Sequence, residues 1–102
     1  MGDHLIGAYQ HEENFPDHEK ALRMLKKVAS LVKPIMHQRR WSIRLLCEMY
    51  PADPFLLGLN QTDQKIISLR LRYPRDIREF LPLESVVDSM LHESVVHDLP
   101  VF

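Results

Sequence analysis

Residues 39–50 read RRWSIRLLCEMY, and the hydrophobic period of the chain changes inside this stretch. Trp41, Ile43 and Leu45 alternate with Ser42 and Arg44, the two-residue period of a strand with one buried face. Before it, from Asp17 to Met36, apolar residues recur at Ala21, Leu22, Leu25, Val28, Ala29, Val32 and Met36, the three-or-four spacing of a single helical face. Asp17 or Asn14 is placed to cap that helix, with Pro16 tolerated in its first turn. Pro34 is expected to kink or end it, because proline removes an amide donor and crowds the preceding turn.

Beyond residue 50, Pro51–Pro54 (PADP) breaks the strand, and FLLGLN at 55–60 fits a short strand bounded by Pro54 and Asn60. KIISLRLRY at 65–73 alternates again, Ile67, Leu69 and Leu71 against Ser68, Arg70 and Arg72, until Pro74 ends it. Pro82 opens a second helix whose buried stripe is Leu83, Val86, Val87, Met90 and Leu91. Residues 1–16 show no period and read as a flexible arm. The order is helix, three strands, helix: a small α+β domain with a long N-terminal helix and a three-stranded antiparallel or mixed sheet.

A chain of 102 residues holds one domain. Its 45% hydrophobic and 26% charged residues are ordinary for a globular protein. No apolar run approaches the roughly 20 residues that span a bilayer, and the first residues have neither signal-peptide nor myristoylation character, so no membrane partner is expected. Cys47 is the single cysteine, so no intrachain disulfide can form and a reducing compartment, cytosol or nucleus, is favoured.

The net charge of −1 conceals a segregation. All 13 lysines and arginines lie between Lys20 and Arg78. Only Glu48, Asp53, Asp63 and Asp76 oppose them there, while five acids lie before this region and five after it. A basic middle between acidic ends suggests a polyanion, nucleic acid first; the alternative is a solvated basic helix and strand. Lys26 and Lys27 on the first helix, with Arg70, Arg72, Arg75 and Arg78 ahead of the second, are the candidate phosphate contacts.

The second helix carries the pair His92-Glu93. In the zinc-peptidase pattern H-E-x-x-H, histidines four apart lie about 400° around the helix, so both imidazoles face one ion. The glutamate then acts as general base on a metal-bound water. Here Val96 occupies the fourth position after His92, and His97 comes one residue later, about 140° off the His92 face. After His97, Asp98 is the nearest oxygen donor, and His4, His11, His18 and His37 lie far off in sequence.

The segments VKPIMHQRRWSIRLLCEMYPADPFLLGLN (32–60), ISLRLRYP (67–74) and FLPLESVVDSMLHE (80–93) together resemble the WLM domain. This is a family of DNA-dependent metalloproteases related to Spartan and other SprT-type proteins. The resemblance runs from about Ala21 to Glu93, and Pro34-Ile35-Met36, Trp41, the LLGLN run, LRLR and MLHE anchor it. It implies a minimal zincin-like fold over 17–102 with a C-terminally incomplete family domain. It further implies a zinc cofactor, nuclear location, and DNA-triggered cleavage of proteins crosslinked to DNA in the DNA damage response. SUMO- or ubiquitin-modified proteins and an AAA-type unfoldase are the partners that go with it. On this resemblance His92 is the first zinc ligand and Glu93 the catalytic base. Val96 replaces the second ligand and the third has no counterpart, which implies weak activity or none. A non-catalytic DNA-binding module and a non-functional truncated product are the competing readings.

Overall fold

The structure, a computed structural model, describes residues 5–95. In chain order it contains β1 (Ile6–Gln10), α1 (His18–Arg39), β2 (Ile43–Met49), β3 (Gly58–Gln61), β4 (Ile66–Arg70), β5 (Arg72–Tyr73), β6 (Asp76–Phe80) and α2 (Leu83–Val95). The fold is α+β. Its main sheet has four strands in the order β1-β2-β4-β3, and β5 and β6 form a separate antiparallel ribbon. β1 and β4 both run parallel to β2, while β3 returns antiparallel on β4. α1 packs against β1 and β2, α2 against β3 and β4, and the helices touch each other, so both cover one face of the sheet. No helix among the described residues is long and apolar enough to cross a membrane.

Between helices and sheet lies a core that includes Leu25, Val28, Val32 and Met36 of α1, Leu46 of β2, Ile67 and Leu69 of β4, and Val86 and Met90 of α2. Of the expected stripes, every member on α1 except the half-buried Leu22 is buried, while on α2 Val86 and Met90 are buried and Leu83, Val87 and Leu91 pack partly buried against the core. Trp41 packs partly buried against this core.

Four expectations change. The supposed arm contains β1, with Ile6 buried and the strand hydrogen-bonded along β2. Its pattern was illegible because only one of its five residues is buried; backbone pairing, not an apolar face, holds it. The three-stranded sheet is therefore four-stranded, with an additional ribbon. α1 passes through Pro34 and ends only at Arg39. Pro34 and Ser30, whose carbonyl loses its donor, both lie on the exposed side of the helix, where an unpaired carbonyl costs least, while Val32 and Met36 stay anchored in the core. Arg40 then closes the helix in the left-handed region (φ 60°), with its amide and that of Trp41 returning to His37 and Met36.

The fourth change is in the phase of β2. The amides of Arg44 and Leu45 both donate to the Lys65 carbonyl, at 2.7 and 3.3 Å. This doubled contact breaks the alternation. Ile43, Leu46 and Glu48 become the buried positions, and Leu45 is only half-buried.

Candidate functional site

α2 turns Val86 and Met90 to the core, and the three-or-four spacing puts Ser85, Asp88 and His92 along another side of the helix. With Ser89 and Glu93 these residues form one wall of an open cleft of about 560 Å³. The other wall is the segment from Phe55 to Gly58 that leads into β3. His92 is exposed and Glu93 half-buried.

Glu93 lies against the backbone of β3. A Cβ at residue 58 would stand 2.9 Å from the Glu93 Cγ and 3.1 Å from its Oε2, so only glycine leaves room for this carboxylate. Two residues on, the Asn60 Nδ2 donates to the Glu93 carbonyl at 2.8 Å and ties the last turn of α2 to the strand. Glycine and asparagine two apart in one strand thus face the same helix and hold the same residue.

Arg70 builds the opposite wall. It is 1% exposed, and its Nε donates to Leu56 O at 3.1 Å while Nη2 donates to the carbonyls of Pro51 (2.9 Å) and Asp53 (3.0 Å). The Tyr50 ring lies 5.1 Å from the guanidinium, and Asp53 Oδ1 accepts the Phe55 amide at 2.9 Å. Loop 51–57 is therefore fixed by buried polar contacts although its tip is exposed.

The expectation that Arg70 and Arg72 contact phosphates is corrected by this geometry. Both are buried, and Arg72 pairs with the Glu48 carboxylate. Their side of β4 and β5 is covered by loop 51–57 and by the rings of Phe15 and Phe80, segments that strand periodicity does not reveal. Lys26 and Lys27 are exposed on α1. Arg75 and Arg78, also exposed, line a second, polar cleft together with His18 and Tyr50. The six basic candidates thus fall into separate places. His11 and His18 stack with ring centroids 5.2 Å apart, away from the His92 cleft.

Among the described residues no three His, Cys, Asp or Glu side chains are grouped to hold a metal ion. Among the described residues His92 is the one imidazole lining the cleft, and Glu93 is the base of the pattern, not a ligand. Val96 and His97 lie outside the described residues, but valine at position 96 has no donor atom. The donor set among the described residues does not fit a catalytic zinc, which needs three protein ligands.

Comparison with known proteins follows the same outline. A family model for the WLM domain matches residues 4–99. The chain belongs to the WLM domain family. The DNA-dependent metalloprotease WSS1 of Saccharomyces cerevisiae is 39% identical over 84 residues, covering 82% of this chain and 31% of that protein. The DNA-dependent metalloprotease WSS1 homolog 2 of Schizosaccharomyces pombe is 36% identical, covering 78% and 30%. This WLM chain thus spans about a third of the length of those relatives. The crystal structure of Wss1 from S. cerevisiae superposes with a TM-score of 0.88 at 35% identity, covering 96% of this chain and 76% of that one. Wss1 from S. pombe gives 0.77 at 31% identity, covering 98% and 80%.

Proposed function

We propose that this WLM domain is a metallopeptidase scaffold of the kind that cleaves proteins crosslinked to DNA, and that Val96 deprives the chain of proteolytic turnover. The observation that carries this reading is the donor set: His92 and Glu93 line the cleft, and no second and third ligand accompany them among the described residues. Two relatives called DNA-dependent metalloproteases support the ancestral activity. The zincin-like arrangement, nuclear location and SUMO- or ubiquitin-modified partners belong to the same proposal.

A second reading, a DNA-binding module without catalysis, is favoured by the exposed Lys26, Lys27, Arg75 and Arg78, which do not depend on the metal site.

Elemental mass spectrometry of the purified protein tests the first reading, with His92→Ala and Val96→His beside it. Far less than one zinc per chain is expected in the parent, with uptake rising in Val96→His, which restores the H-E-x-x-H spacing. One equivalent in the parent, lost in His92→Ala, together with DNA-stimulated cleavage abolished by Glu93→Ala, overturns it.

A further inference from the structure

Phe55 is 89% exposed, an unusual position for a phenyl ring on a loop that is otherwise fixed. Arg70 holds the carbonyls around it and Asp53 holds its amide, so the ring is presented at a set place on the cleft wall. Leu57 continues the exposed apolar surface toward β3, and β3 is an edge of the sheet, with its outer backbone groups unpaired among the described strands. Across the cleft stand the carboxylates of Asp88 and Glu93, and no lysine or arginine lies among the described lining residues.

These features select among occupants. A nucleic-acid strand stacking a base on Phe55 would bring its phosphates toward two carboxylates without a neutralising cation. An extended polypeptide meets a free strand edge, an aromatic anchor and an anionic wall, each complementary to what it carries. We infer that the cleft beside β3 takes extended polypeptide with a bulky apolar residue next to a lysine or arginine, and that Phe55 and Asp88 set this preference. The inference rests on the reading that the His92–Glu93 cleft is the polypeptide site of a peptidase scaffold, and it names the class of polypeptide.

The test is a chemical-shift titration of the ¹⁵N-labelled chain with three ten-residue Gly/Ser peptides, carrying at their centre Leu-Lys, Ser-Lys or Leu-Glu. Leu-Lys is expected to bind about fivefold more tightly than either of the others, a ratio in keeping with partial burial of one apolar side chain and one exposed charge pair. The amides of Gly58, Asp88 and Ser89 are expected to shift. Phe55→Ser removes the difference between Leu-Lys and Ser-Lys, and Asp88→Lys reverses the order of Leu-Lys and Leu-Glu. Both positions are exposed, and the dispersion of the same spectra reports folding directly. Equal affinities, no shift at those amides with millimolar peptide, or a preference unchanged by both variants overturns the inference. The outcomes separate the two proposals. A zinc-loaded, active parent removes the loss of turnover and leaves the preference standing. Absent peptide binding in a zinc-free parent removes the preference alone.

Discussion

The Nε of Arg72 donates to Oε2 of Glu48 across 2.6 Å, and both side chains are fully buried. The guanidinium lies between the rings of Phe15 and Phe80, at 5.2 and 4.7 Å from their centroids, and Nη1 donates to the carbonyls of Pro16 and Ile77. The other Glu48 oxygen accepts the Glu12 amide at 2.9 Å. One ion pair thereby joins the segment after β1, the end of β2, and the β5–β6 ribbon. Filling the bonding sites in this way offsets much of the cost of taking two charges out of water.

Removing one partner of that pair leaves the other charged and stranded. Glu48→Gln is expected to cost about 3–5 kcal/mol. Urea unfolding followed by circular dichroism measures it, with an unchanged midpoint as the contrary result.

Arg70→Lys keeps the charge and loses the fork that reaches Pro51, Asp53 and Leu56 together. A cost of about 1–3 kcal/mol is expected, since buried carbonyls lose their donors. Hydrogen exchange by mass spectrometry should show faster exchange over residues 52–57, with β1 much less affected.

The glycines at 7 and 58 separate two kinds of crowding. A Cβ at residue 7 would stand 2.7 Å from the Arg44 carbonyl oxygen, part of the backbone of the neighbouring strand, whereas at residue 58 it meets the Glu93 side chain. Gly7→Ala is expected to lie at the upper end of the roughly 1–3 kcal/mol range for overpacking and Gly58→Ala at the lower end, with the Glu93 carboxylate displaced. Thermal melts of the two variants give the order; the reverse order would mean that β1 yields more easily than α2.

If the exposed cations meet DNA phosphates, each of Lys26, Lys27, Arg75 and Arg78 replaced by alanine should lower the log–log salt slope of duplex binding by about 0.9. Fluorescence anisotropy across salt concentrations reads the slope. Arg70→Glu and Arg72→Glu are unsuitable for this purpose, because each places an acid in the buried site of an arginine and unfolding would imitate lost binding.

The two helices and the principal strands could be read from the sequence because burial there follows the local period: Leu25, Val28, Val32 and Met36 on α1, and Val86 and Met90 on α2. The rest depends on segments far apart in the chain. No periodicity announces that Arg44 and Leu45 share one carbonyl, or that Phe15 and Phe80 close over Arg72. At the site, His92 and Glu93 were legible as a motif fragment. Gly58 and Asn60 were visible within the LLGLN run, but their joint hold on Glu93 emerges only when β3 lies beside α2. Phe55 and Asp88 had no signal beyond one apolar letter after a proline and one acid on a helix.

The ion pair between Glu48 and Arg72 also orders events during synthesis. When residues 6–49 have left the ribosome, β1, α1 and β2 can meet, and Glu48 can accept the Glu12 amide but has no cation beside it. Its counter-ion arrives 24 residues later, and the Ile77 carbonyl that shares the guanidinium later still. A chain that has emerged only as far as residue 49 carries the Glu48 carboxylate without its counter-ion, and the ion pair can close only once the β5–β6 ribbon has followed.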